Sequence, residues 1–286
     1  MNVIAGTGIF APHPHPTLRV LSLGLGVQST TLLFMAADGL FGPPPDVAFF
    51  ADTQAEPKAV YDHLLRLRGL NSLPFPIRVL TRGSLRQSVI DSRNTTGGRF
   101  AAVPFFVKAE DGKHGRGPRQ CTKEFKLEPL WSEIRAELGV KPGARVPKGI
   151  VVETWVGITT DEVTRAAASR HRWEHKRHPL IEANMSRGDC IEWLMKNGHA
   201  VPVRSRCVFC PFTHNAEWRR IKADDPEQWA DAVEVDRAIR DGGKSRGMRG
   251  DQFVHRSCVP LESADLKAPD PRQSAMGELC EGMCGV

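Results

Sequence analysis

The 286-residue chain is 41% hydrophobic and 25% charged, with a formal net charge of +6 and a pI near 9.0. That composition belongs to a soluble globular protein able to bury one large core or a core with an appended module, and no apolar stretch reaches the length of a membrane span. The first sixteen residues carry no basic region followed by an apolar core, so a cytoplasmic protein is expected; its seven cysteines then argue for metal, cluster or redox chemistry rather than a disulfide framework. The positive charge suits a polyanionic ligand or nucleic acid, or is simply a solvated surface.

Arg19 to Leu23 reads as a buried strand, Gly24 to Thr31 as a glycine-rich turn, and Leu32 to Ala37 as an apolar helical face. A strand feeding a helix through such a turn aims the helix's first amides at the carboxyl edge of the sheet, where they favour an anion. The glycines let the backbone approach that anion, and Gln28, Ser29 and Thr30 add donors. The alternative is a tight connection with nothing bound. The spacing matches neither G-x-G-x-x-G nor G-x-x-x-x-G-K-[ST], which disfavours a dinucleotide fold and a Walker-type ATPase.

Asp46 to Ala51 is a second strand ending at Asp52-Thr53, Lys58 to Arg68 is helical, and Pro76 to Thr81 is a third strand. This alternation predicts βαβ units and a parallel sheet, with ligands beyond the carboxyl ends of the strands. Gly24 to Thr30 and Asp52-Thr53 then share one edge. Asp52 either holds a ribose hydroxyl or a metal, or caps a helix. Thr95 to Gln120 is long for a connection and reads as a mobile substrate loop. Cys121 opens a helical pattern running to Leu138, and Lys123 and Lys126 in its first turns oppose the helix dipole, a cost that an anionic ligand would offset.

Ile150 to Val156 is a fourth strand, ending at Gly157 to Glu162. Arg165 either faces phosphate or joins an exposed ion pair with Asp161 or Glu162. Arg170 to His178 reads as an exposed basic loop with His171, His175 and His178 solvated. Ser186 to Asn197 is an amphipathic helix carrying Cys190. Cys207-Val208-Phe209-Cys210, closed by Pro211, is a common metal or cluster turn. Asn215 to Arg240 looks helical, and the final segment, Asp265 to Val286, places Cys280 and Cys284 in the last seven residues. Cys258, Cys280 and Cys284 are an alternative second metal site.

Five stretches in this order resemble the phosphoadenylyl-sulfate (PAPS) reductase-like proteins of the adenine-nucleotide α-hydrolase, or PP-loop, superfamily, from Leu21 to the C-terminus. Leu21 to Thr30 resembles the modified PP-loop and Ala51 to Pro57 the second motif. Arg119 to Leu127 resembles the segment with the first cluster cysteine and a lysine. Gly157 to Arg165 is similar to the glycine-to-arginine phosphate motif. Glu281 to Gly285 loosely resembles the terminal Glu-Cys-Gly motif. The resemblance implies nucleotide binding by Ser22, Gly24, Gly26, Gln28, Ser29, Thr30, Asp52, Thr53, Lys126, Gly157 and Arg165. It implies a [4Fe–4S] cluster, or alternatively zinc, on Cys121, Cys190, Cys207 and Cys210, and a nucleophilic Cys284 with Cys280 as helper.

Two departures bear on activity. Val27-Gln28 stands where the ATP-cleaving members have a lysine, which is nearer the reductase branch. Only Cys121 occupies the first cluster position, where cluster-bearing reductases have two cysteines, so Cys190 would supply the missing ligand. The implied activity is reduction of phosphoadenylyl-sulfate or adenylyl-sulfate to sulfite. The rival is ATP-dependent adenylation of DNA or tRNA for sulfur insertion, since the arrangement is also similar to enzymes that thiolate tRNA or DNA. A third reading is a non-catalytic nucleotide- or nucleic-acid-binding module with structural zinc. Implied companions are ATP, APS or PAPS, Mg2+, and a thiol reductant or sulfur-donor protein. The expected fold is α/β, a mainly parallel doubly wound sheet over residues 1–184, with a Cys-rich helical module over 185–286.

Overall fold

The computed structural model describes residues 11–93, 97–98, 103–242 and 250–269. Five strands, β1 (Leu18–Ser22), β2 (Val47–Asp52), β3 (Ile77–Thr81), β6 (Val152–Val156) and β7 (Glu174–Arg177), form one parallel sheet in the order β3-β2-β1-β6-β7. Successive side chains alternate between its faces. Leu21, Ala48, Phe50 and Trp155 face one core with helices α1 (Val27–Ala37), α2 (Lys58–Arg68) and α6 (Arg187–Lys196). Val20, Val47, Phe49 and Val152 face the other with Leu130 and Ile134 of α4 (Glu128–Glu137). Helices on both faces of a parallel sheet are what the alternating strand and helix pattern predicts. Helix α1 is buried from Val27 to Ala36, its polar first turn Gln28 to Thr31 included, so its second half is apolar without a polar stripe.

A third core gathers α3 (Leu85–Ile90), α7 (Asn215–Asp224), α8 (Pro226–Gly242), Phe125 and Phe209. Against it lies a small antiparallel sheet in which β4 (Phe106–Lys108) pairs with both β5 (His114–Arg116) and β8 (Asp251–Phe253). Thus part of the stretch read as a loop from Thr95 to Gln120 is a hairpin. The helical stretch read from Asn215 to Arg240 is two helices, parted at Asp225-Pro226, because proline cannot donate its backbone amide. Helix α6, which carries Cys190, packs on α1 in the first core, so the interior of the sheet domain reaches beyond residue 184.

The stretch from Arg170 to His178 corrects the expectation of an exposed loop. It contains edge strand β7, and His178 is fully buried while Glu174, Lys176 and Arg177 are also buried. Its charges are matched by residues distant in sequence. Arg177 donates to both carboxylate oxygens of Glu182, lies 3.7 Å from Glu153 and stacks 4.6 Å from the Trp155 ring. Glu174 accepts from Thr154 and Trp131. The short helix α5 (Pro179–Glu182) supplies Glu182 to this network. Among the described residues no helix is long and apolar enough to cross a membrane.

Candidate functional site

Strand register brings three loops to one edge. Ser22 at the end of β1 is level with Val156 at the end of β6, and β2 runs parallel beside β1 to Asp52. The loops that follow, 23–26, 53–57 and 157–159, therefore lie together beyond the carboxyl ends, where parallel sheets place ligands. The first turn is under local strain: Leu25, fully buried, has φ +61°, a left-handed conformation that costs a leucine about 1–3 kcal/mol. Gly26 then caps α1 without any side-chain cap, and no acid occupies the first turn. The helix start thus carries no compensating carboxylate of its own, an arrangement that suits an anion.

Gly157 fits this turn because it lacks a side chain. A Cβ there would lie 3.0 Å from both Cα and N of Ser29 and 3.1 Å from the carbonyl carbon of Gln28. The same loop is tied to the turn by Gln28, whose amide donates to Glu162 at 3.3 Å, and Glu162 in turn lies 2.7 Å from Arg165. Arg165 is thus in a partly buried pair on a 3-10 turn (Thr160–Arg165), 19% exposed, rather than in an exposed pair on an α-helix. Gln28 Oε1 and Thr159 Oγ1 are buried at this junction without hydrogen-bond partners. Ser29 donates to Gly26 O at 3.3 Å, and Thr30 meets His63 Nε2 at 3.1 Å. Burial holds His63 down at about 4, so it is neutral at pH 7.

Asp52 is not a helix cap. Its Oδ1 accepts from the amide of Gln54 at 2.7 Å and from the hydroxyl of Tyr61, the chain's one tyrosine, at 2.9 Å. Burial first, then the bonded Asp52, pushes the Tyr61 hydroxyl well above its usual range. Thr53 is buried and turns toward sulfur, with Oγ1 3.6 Å from Cys207 Sγ.

That contact is one of three that seat the C-x-x-C turn on the loop after β2. Val208 N donates to Ala55 O at 2.8 Å, and Ser205 Oγ donates to Glu56 Oε2 at 3.1 Å. Cys121, Cys207 and Cys210 then line one cavity of about 50 Å3 together with Thr53, Arg119 and Lys126. A narrow cleft of about 10 Å3 opens at Ser22, Leu23 and Gly24, and Lys126 lines that as well. It admits no more than a single water-sized group.

Lys126 sits in a π-helical turn (Lys123–Leu127) that continues into α4, an irregularity often found at functional sites. Its ammonium is 3.3 Å from Glu56, whose side chain is wholly buried. Burial pulls Lys126 down, but Glu56 and the sulfurs of Cys207 and Cys121 outweigh it and hold the ammonium above its ordinary value. Cys207 is pushed well up by burial and by Glu56, against the pull of Lys126. Cys121 is raised by burial and by Cys210, against Arg119 and Lys126. These are protonated thiols until a metal or a cationic ligand draws the proton off.

Cys190 does not join them. It is fully buried on α6 among Leu21, Trp155 and Leu194, and its carbonyl accepts from Thr31. Cys258 is buried elsewhere, with φ +53°. Among the described residues no group of three or more His, Cys, Asp or Glu side chains stands as a metal site. The four-cysteine set therefore does not fit this arrangement; three of its members share a cavity and the fourth is in another core. Cys280 and Cys284 lie outside the described residues. Sequence reasoning missed Tyr61, Glu56 and Ser205, whose partners are set by tertiary structure.

No protein-family model and no curated protein matches the chain. Among solved structures it is similar to the crystal structure of a phosphoadenylyl-sulfate (PAPS) reductase from Candida auris in a phosphate complex. The identity is 15%, over 66% of this chain and 76% of that one, with a TM-score of 0.42.

Proposed function

We propose that the protein binds an adenine nucleotide across the carboxyl edge of its parallel sheet and carries out sulfur chemistry at the adjoining thiol pocket. The observation that carries this reading is Lys126, which lines both the cleft at Ser22 to Gly24 and the cavity of Cys121, Cys207 and Cys210. One cation thus serves a phosphate and the thiols beside it. The uncapped amides of α1 and Arg165 would stabilise phosphate charge, and Asp52, held by Tyr61, would accept from a ribose hydroxyl. The choice of adenine rests on the order of the sequence motifs.

The first substrate to test is phosphoadenylyl-sulfate or adenylyl-sulfate, reduced to sulfite with Cys284 as nucleophile and Cys280 as helper. A second reading, adenylation of a nucleic acid by ATP for sulfur insertion, is favoured by Arg119 in the cavity lining. The Cys121, Cys207 and Cys210 thiols line the cavity without standing as a metal site, so no step of this reading is routed through an iron–sulfur cluster or zinc. The experiment is calorimetric titration with ATP, AMP and PAPS, joined to assays of sulfite and pyrophosphate release. Binding that is lost in a folded Gly26→Val, Ser29→Ala double variant supports the site. Unchanged affinity refutes it, and nucleic-acid-stimulated pyrophosphate release without sulfite selects the second reading.

A further inference from the structure

At the thiol cavity an aromatic ring has two arginines beside it. Phe212, two residues after Cys210, is half-buried and lines the cavity. The guanidinium carbons of Arg116 and Arg119 lie 5.3 Å and 5.2 Å from its ring centroid. Both arginines are exposed, and Arg119 also lines the cavity. Arg116 closes β5, a strand exposed along its whole length, so the hairpin carries its basic side chains outward. Lys108, Lys113 and His114 on the same hairpin are exposed too. Between residues 108 and 126 the chain has six Lys and Arg against three Asp and Glu.

We propose that this site binds single-stranded nucleic acid, one base stacking at Phe212 and the flanking phosphates pairing with Arg116 and Arg119. The proposal rests on the nucleotide-and-sulfur reading above and deepens it by naming the class of acceptor brought to the thiols. A π-face beside guanidinium groups is the combination by which proteins hold unpaired bases without reading their sequence. Two guanidinium groups held beside one ring crowd like charge at one spot, which favours a polyanion further. A single strand is favoured over a duplex: the ring is half-buried, so a base must leave its stack to lie against it. An acidic peptide would satisfy the arginines but would leave the ring unused.

The test is fluorescence anisotropy of a labelled 20-nucleotide oligothymidylate, its RNA counterpart and a duplex of the same length, each titrated at several salt concentrations. Single strands should bind at least tenfold more tightly than duplex. Arg116→Ala, a surface change, should weaken binding severalfold and flatten the salt dependence by roughly 0.7 in log–log slope, the loss of one phosphate contact. Phe212→Leu should weaken binding about tenfold and leave the slope unchanged, as removal of a stacking face does. Equal affinity for duplex, displacement by polyglutamate as effective as by oligonucleotide, or wild-type affinity in both folded variants would overturn the proposal. Titration of the wild type with ATP separates the two readings. ATP binding without oligonucleotide binding sinks this inference alone, and oligonucleotide binding without ATP binding sinks the nucleotide site instead.

Discussion

Gly157 and Ser29 touch backbone to backbone: a Cβ on the glycine would sit 3.0 Å from both Cα and N of the serine. No flexible side chain can yield, because the obstructing atoms belong to the first turn of α1. Gly157→Ala should therefore push the loop after β6 away from the glycine-rich turn, at a cost of about 1–3 kcal/mol for overpacking. The loss should be read as a lower urea midpoint with unchanged m-value, accompanied by weakened ATP binding. A midpoint equal to wild type would show that the two loops are not in contact.

The charge balance around Cys207 gives a second expectation. Burial and then Glu56 hold its thiol well above the ordinary value, and Lys126 works against them. Glu56→Gln keeps an acceptor for Ser205 while removing the carboxylate charge. Even if Lys126 then gave up its proton, the larger of the two opposing influences would be gone. The Cys207 thiol should become more acidic and alkylate faster with iodoacetamide between pH 7.5 and 9, read peptide by peptide by mass spectrometry. Slower or unchanged modification of Cys207 in the folded variant would contradict this assignment of its environment.

The parallel sheet was legible because its strands are apolar runs such as Val47 to Ala51, and their periodicity is local. Edge strand β7 was not. Glu174-His175-Lys176-Arg177 has no apolar pattern, and it is buried only because Glu153, Thr154 and Glu182 come to it from elsewhere. The site divides in the same way. The glycine-rich turn, Asp52, the C-x-x-C turn and Gly157 announce themselves by residue type and spacing. That Asp52 is held by Tyr61, or that Thr53 reaches Cys207 across 154 residues, depends on packing that spacing does not encode. Cys190 illustrates the limit: a cysteine on an amphipathic helix reads the same whether it serves a core or a metal, and here it fills the core beside α1.

Acid should loosen the sheet domain through its buried histidines. Burial lowers His63 to about 4, and burial does the same to His178. The unfolded chain takes up these protons near pH 6.5, before the folded protein does. Stability is thus complete above pH 6.5, falls as the pH drops toward 4, and is flat below it with respect to these groups. Each histidine accounts for at most about 3 kcal/mol. Urea titrations at pH 7.5, 6 and 5 should show this decline, and His63→Gln, which keeps a partner for Thr30, should have a shallower one. Identical slopes for wild type and variant would remove His63 from the explanation.

The cysteines part company in the last expectation. Cys121, Cys207 and Cys210 share a cavity, whereas Cys190 is sealed in a different core. If the protein carries iron or zinc on its thiols, these three would have to draw closer together to hold it, and Cys190 would take no part. In anaerobically purified protein, Cys207→Ala and Cys121→Ala should each lower the metal-to-protein ratio, and Cys190→Ala should leave it unchanged. Cys190→Ala should instead lower the stability by about 1 kcal/mol, as a truncated buried side chain does. The two effects are measured independently, by elemental analysis and by denaturant titration, so a misfolded variant is recognised as such. The identity of the metal follows from colour and elemental content, since a cluster absorbs in the visible and zinc does not. Loss of metal in a folded Cys190→Ala variant would mean that α6 swings its cysteine out of the core to reach the pocket, and the separation of the two cores described above would then have to be abandoned.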